Sequence, residues 1–349
     1  MPEYVYKPFE EVTALAHDVL TAMGADDGNA AVVAEHLALA DASGMYTHGI
    51  VHLPGYLNAV RLGGILPTGR PRVEQDAPAY ALVHGGWTYG QVGALYAIDL
   101  AIEKAKATGI AMVGLVGAHH IGRVGHFAER AADNGCTALV WAGGYSEEEP
   151  QTAAFGGQER VLGTNPIAFG FPGGQTPALG FDFATTTVSG MRLVQIRRRG
   201  ETLPPGSIIG PGGLPSSDPD DFFRGGAHLP FGGHKGYAIS LAAEWLGRVF
   251  LGSDRFAEPG MGAAAMGHQG VLFMVARADA FAPEKVVHDV ADEMYRRIGD
   301  TRPAPGVDRV FLPGQLEAEA RQRATADGVR FDRAIWDEVA AMPRGDGDA

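Results

Sequence analysis

Residues 110–142 read IAMVGLVGAHHIGRVGHFAERAADNGCTALVWA, and this stretch decides the fold class. Ile110 to Val116 is an apolar run of strand length, Gly117 to Gly125 a loop of histidines and glycines. His126 to Asn134 has helical spacing, and Cys136 to Ala142 is a second apolar run that reads as a buried strand. Strand, loop, helix and strand in that order predict a layered α/β domain. Upstream, Arg72 to Asp76 and Tyr80 to His84 alternate as strands, and Gln91 to Ala107 is a long amphipathic helix. Before them come helices at Pro8 to Met23, Asn29 to Asp41 (capped by Asp26 and Asp27) and Ile50 to Leu62.

Downstream, residues 143–232 are strand-poor and rich in turns, with strands expected at Pro166 to Phe171 and Ala178 to Phe183. Leu203 to Pro219 reads as an ordered surface excursion or lid. An apolar helix follows at Ala238 to Leu251, then a strand at Val271 to Ala276, a helix at Glu284 to Ile298 and a short strand at Val307 to Leu312. Helices at Glu317 to Ala326 and Arg333 to Ala341 close the chain, and the last few residues are expected to be disordered. The helical start and end are expected to pack as one subdomain, residues 1–70 plus 314–349, beside an α/β core of residues 71–313.

The 349 residues carry a formal charge of −13, which argues against a nucleic-acid partner because such binding needs a basic surface. Cys136 is the one cysteine, so a disulfide framework and a cysteine-rich metal site are excluded. The start, MPEYVYKPFEEVTALAHDV, is too acidic and interrupted for a signal peptide, and no apolar run reaches the ~18 residues of a membrane span. A reducing, cytoplasmic compartment and no membrane partner are expected. Glycine is abundant at 50 residues, in short clusters such as Gly63-Gly64, Gly85-Gly86 and Gly232-Gly233. These clusters permit close backbone approach to a ligand, and equally serve tight turns.

No G-x-G-x-x-G follows a strand, and Gly-Lys-Ser/Thr, G-x-S-x-G and H-E-x-x-H are absent. Four other segments carry chemistry. In Asp41 to Pro54, His48 follows Thr47 and precedes Gly49 at a turn between helices; it is a candidate general acid, or a capping residue. His52 lies four residues on, the spacing of two metal ligands, although the face offers no Glu and no third ligand. The loop Gly117 to Gly125 follows a strand and opens a helix, where α/β sheets bind ligands; a plain turn with surface histidines reads as well. In Leu162 to Phe169 a Thr164-Asn165-Pro166 turn leads to Asp182, which interrupts an apolar strand and is costly to bury unless paired. Such a carboxylate would orient a histidine; on an exposed face it would do nothing. Among 28 basic side chains only Lys7, Lys104, Lys106, Lys235 and Lys285 are lysines, and Lys235 stands alone in Pro230 to Ala238 at the head of the apolar helix. A lysine there opposes the helix dipole, so a bound phosphate or carboxylate would explain it; simple solvation is the alternative.

Six pieces together resemble the type 2 malate/L-lactate dehydrogenase family: THGIVHLPGYLNAVRLGGI, HHIGRVGHFAERAADNG, LGTNPIAFGFPG, FDFATT, LPFGGHKGYAISLAAE and VFLPGQLEAEARQRATADGV. The family includes ureidoglycolate, sulfolactate and 2,3-diketogulonate dehydrogenases and piperideine-2-carboxylate reductases. The resemblance implies a non-Rossmann α/β fold that binds NAD or NADP, a homodimer, and hydride transfer at C2 of a small 2-hydroxy/2-oxo acid or a cyclic imino acid. It implies His48 as proton donor, with Thr47 where serine is usual and Asp182 as charge-relay partner. Substrate contacts would be Thr164 and His52, with Arg61 as a substitute cation. Cofactor contacts would be His120, Ile121, Gly122, Arg123 and Val124, the loop Pro172, Gly173, Gly174, the pair His234 and Lys235, and Pro313, Gly314, Gln315. The chain departs from the pattern at Tyr46 (usually acidic), at Ser43 and His52 (where arginine is frequent) and at Gln315 (usually Glu). A metal-dependent hydrolase or lyase using His48 and His52, and a catalytically altered binding protein, are the other readings.

Overall fold

The computed structural model describes residues 3–144, 149–262 and 266–342. In chain order its elements are β1 (Tyr4–Lys7), α1 (Phe9–Ala22), α2 (Asp27–Ala42), α3 (Leu53–Arg61), β2 (Arg72–Ala77), β3 (Tyr80–His84) and α4 (Gly90–Thr108). There follow β4 (Ile110–Val116), α5 (Val124–Asp133), β5 (Cys136–Gly143), β6 (Thr152–Ala153), β7 (Arg160–Leu162), β8 (Ile167–Phe171) and β9 (Leu179–Phe183). Then come α6 (Gly190–Arg198), β10 (Ile208–Ile209), β11 (Pro215–Ser216), α7 (Pro219–Phe223), β12 (Ala227–His228) and α8 (His234–Glu244). The chain closes with β13 (Gly270–Arg277), α9 (Glu284–Gly299), α10 (Gln315–Asp327), β14 (Val329–Asp332) and α11 (Arg333–Ala340).

The fold class is α/β. A seven-stranded sheet runs β2-β3-β4-β13-β5-β8-β9. Only β3 and β4 pair in parallel; every other neighbour is antiparallel. The stretch that decides the fold forms β4, α5 and β5, but β13 sits between the two strands and pairs antiparallel with both. The α4 and α5 helices cover one face through Ile98, Ala101, Phe127 and Ala128, packed on Val113, Val140 and Phe273.

A second hydrophobic cluster joins α1–α3 to the chain's end: Val12, Leu20, Val33, Leu37, Leu53 and Tyr56 pack with Phe331, Trp336 and Val339. Strand β1 pairs with β14 antiparallel, Tyr4 opposite Asp332. Asp26 caps α2 by accepting the Asn29 N–H at 3.2 Å, as its sequence position predicts.

Three expectations are corrected. Residues 143–232 hold a five-stranded sheet, β11-β10-β12-β6-β7, and the helix α6, whose strands of two or three residues are too short for periodicity to register. Val307 to Leu312 is not a strand; no neighbour offers it a ladder, Leu312 packs with Leu179 and Tyr295, and its N–H donates to Gln315 Oε1 at 2.7 Å. The apolar helix begins at His234 and changes at Trp245–Phe250 into a π-helical turn. The expected disordered tail lies outside the described residues. Among the described residues no helix is long and apolar enough to cross a membrane.

Candidate active site

The turn that carries His48 is built from α2. Asp41, in the last turn of that helix, accepts the Ile50 N–H at 2.8 Å. A Cβ at Gly49 would overlap the Asp41 carboxylate, so only glycine lets the turn close here. Burial raises the Asp41 pKa well above the usual carboxylate range. His48 Nδ1 lies 2.9 Å from Thr47 Oγ1, and His52 Nε2 lies 2.8 Å from the Thr47 carbonyl. Since a carbonyl only accepts, His52 carries its proton on Nε2.

The loop after β4 brings His120 to the same place. Its ring centroid is 4.5 Å from His52 and 6.2 Å from His48. Gln91 Nε2 donates to the Tyr56 hydroxyl at 2.6 Å, and that hydroxyl lies 2.9 Å from His120 Nδ1. The phenol proton then points to Nδ1, which leaves the His120 proton on Nε2. His48, His52, His120 and Thr164 line one cavity of about 730 Å³. Burial, and for His48 the nearby Arg123 charge, push the pKa of His48 and His52 down to about 4, so both rings are neutral at pH 7. His120 is lowered for the same reason, with its neighbouring histidines adding to the effect.

Thr164 is held by its neighbour. Asn165 is buried with φ of 38°, and its side-chain amide donates to the Ser240 carbonyl at 3.0 Å and Glu244 Oε2 at 3.1 Å. The turn is thus pinned to α8, and Thr164 is left facing the cavity.

Other expected residues fall elsewhere. Asp182 is buried and paired, but with Arg123: its Oδ1 accepts from Nε at 3.1 Å, while Glu129 takes Nη2 at 2.7 Å. The expected direct His48–Asp182 relay is corrected to an Arg123–Asp182–Glu129 ion cluster beside His48, because a buried guanidinium competes better for carboxylates than a neutral imidazole does. Burial raises the Asp182 pKa against the lowering pull of Arg123. In the loop His120 to Val124 only the His120 side chain reaches the cavity; Ile121 and Val124 are core residues and Gly122 packs on His36. Arg61 is exposed at the end of α3, whose inward face is Leu53, Tyr56 and Ala59, so it does not line the cavity.

Pro172 to Gly174 lead from β8 into a turn whose Gln175 and Thr176 N–H groups donate to Asp292 at 2.8 and 3.0 Å. Pro313 to Gln315 pack against β9, where a Cβ at Gly314 would overlap the Gly180 carbonyl. His234 and Lys235 are exposed at the head of α8. None of these three segments lines the His48 cavity. Among the described residues no group of histidine, cysteine, aspartate or glutamate is placed to hold a metal, and His52 Nε2 is already spent, so the hydrolase reading finds no ligand set.

The sequence reading missed Tyr56, Gln91, Arg160, Met191, Val194, Phe222 and Phe223. Tyr56 stands four residues after His52 on one helical face, a legible spacing. Arg160 carried a signal too, as a cation in the segment leading to Thr164.

The family model described as malate/L-lactate dehydrogenase matches residues 8–340. The chain belongs to that family. It is a dehydrogenase, its chemistry is that of nicotinamide-dependent oxidoreductases, and its substrates are small hydroxy acids. It is 31% identical over 339 residues to the L-sulfolactate dehydrogenase of Methanothermobacter thermautotrophicus, covering 96% of this chain and 95% of that one. It is 35% identical over 328 residues to the L-lactate dehydrogenase of Cupriavidus necator, covering 92% of each. The malate dehydrogenase structure from Pyrococcus horikoshii OT3 matches with a TM-score of 0.88 at 27% identity, over 100% of this chain and 98% of that one. This dehydrogenase therefore follows its relatives over nearly its whole length.

Proposed function

We propose that the protein moves hydride between NAD or NADP and C2 of a small 2-hydroxy/2-oxo acid, or reduces a related cyclic imino acid, with His48 as the proton-transfer group. One observation carries the reading: His48, His120 and Thr164 meet in one cavity, with Thr47 on His48 Nδ1. The fit to a dinucleotide is supported by Lys235, an exposed cation at a helix N-terminus that makes no ion pair among the described residues. When bound, the cofactor donates or accepts the hydride.

The protein's own groups handle the proton. In the tautomer whose Nδ1–H donates to Thr47 Oγ1, His48 Nε2 is free to take the hydroxyl proton during oxidation. In reduction the protonated ring returns that proton to the carbonyl oxygen. Burial keeps the His48 ring unprotonated at pH 7 and so able to accept a proton, and a carboxylate bound beside it raises the ring's basicity. Asp182 and Glu129 hold Arg123, so the positive charge beside His48 is balanced. Thr164 and His120 would orient the oxygen-bearing carbon.

We also assign residues 1–70 and 314–349, so far as they are described, to one helical subdomain on the 71–313 core. A homodimer is supported by exposed Leu241, Trp245, Val249 and Phe250 on α8 and the turn after it. The reaction is tested by following NADH and NADPH oxidation with a panel of 2-oxo acids and cyclic imines. Turnover with at least one is expected; no absorbance change with any member, by either cofactor, would contradict the proposal.

A further inference from the structure

The His48 cavity contains a cation that no ion pair holds among the described residues. Arg160, on β7, is the one permanently cationic side chain among its described lining residues. Its Nε donates to the Gly226 carbonyl at 2.7 Å and its Nη2 to the Phe222 carbonyl, and its Cζ stacks 4.1 Å from the Phe222 ring centroid. These contacts fix the guanidinium plane, while among the described residues Nη1 makes no hydrogen bond. No carboxylate pairs with Arg160 among the described residues, and burial alone lowers its pKa. A half-buried arginine without a counter-ion is unfavourable and gains when an anion pairs with it. Arginine is suited to a planar carboxylate because its donors form a fork.

Two cations or near-cations read from the sequence as substrate contacts do not serve as the clamp. His52 donates Nε2 to the Thr47 carbonyl and is neutral, and Arg61 points to solvent. Beside the polar Gln151, Thr164 and Ser189, the wall carries an apolar stretch: Met191 and Val194 from α6, Phe222 and Phe223 from α7, and Met266. Glu149 is the acid on the lining, so a second carboxylate on the substrate would meet like charge and no second cation.

We propose that Arg160 anchors the substrate carboxylate and that the preferred substrate is a 2-oxo or 2-hydroxy monocarboxylate with a bulky apolar side chain. This rests on the hydride-transfer reading above. A dicarboxylate or a sulfonated acid carries a second anion, for which the cavity's described lining offers no second cation.

The test measures kcat/KM for 4-methyl-2-oxopentanoate, phenylpyruvate, pyruvate and oxaloacetate, and for 4-methyl-2-oxopentanamide, in the wild-type chain, R160K and R160Q. The apolar acids should exceed oxaloacetate by about tenfold or more, and the wild type should favour the acid over its neutral amide by roughly 30-fold. R160Q should abolish that acid-over-amide preference and R160K should keep part of it. A merely structural role would lower acid and amide alike. Such a parallel loss, a wild type indifferent to acid against amide, or a preference for oxaloacetate would overturn the proposal. Because the acid-to-amide ratio is read in the wild type and R160K as well, a poorly folded R160Q does not remove the test. If no 2-oxo acid reacts at all, the hydride-transfer reading itself falls, and this inference with it.

Discussion

At Gly49 the missing side chain matters more than any contact it makes. The Asp41 carboxylate fills the place a Cβ would take and caps the following turn at Ile50. G49A should therefore force the His48 turn away from α2. The expected cost is about 1–3 kcal/mol of overpacking, read as a fall in Tm of roughly 2–4 °C for each kcal/mol, with turnover lost in proportion to His48 displacement. Unchanged melting and unchanged rate would mean that the turn is not held this way. The turns that carry His48 and Thr164 were legible in sequence, because each combines a reactive residue type with glycine or proline; for Asp182 the sequence left burial and exposure both open. The partner of Asp182 was not legible. Which cation reaches a buried carboxylate depends on where α5 sets Arg123, and that is fixed by packing over many residues.

At the scale of elements, α1, α2, α4, α9 and the strands of the large sheet were readable within a few residues, since each is long enough for its period to show. The small sheet was not: Ile208–Ile209 and Ala227–His228 are strands only because they pair with each other, and β12 with Thr152. Sheet order was equally hidden. The insertion of β13 between β4 and β5 joins segments far apart in the chain, and no local pattern encodes it. Those same non-local elements supply the apolar wall and Arg160, which is why the cavity's specificity side escaped the sequence while its His48 side did not.

Across the whole molecule, histidines gather where the N-terminal helices meet the sheet, His36 and His119 buried and the rest partly so. His36, His48, His52, His119, His120 and His126 all have pKa values lowered by burial, several to about 4. Above the ordinary histidine pKa of about 6.5 the folded and unfolded chains are both neutral at these rings, so pH has no leverage through them. Below it the unfolded chain takes up protons that the folded chain refuses, and stability falls until the folded rings titrate. Thermal melts should show Tm declining steadily from about pH 6.5 towards pH 4, more steeply than the carboxylates alone would give. A Tm that is flat across that range would contradict neutral packing of this cluster.

The most direct test of the central claim is H48A, assayed for turnover with the best acid from the panel and titrated for cofactor binding by nicotinamide fluorescence. Loss of turnover by about 10²–10⁴-fold, with cofactor affinity within a few-fold of wild type, is the predicted result. Turnover close to wild type would contradict His48 as the proton-transfer group.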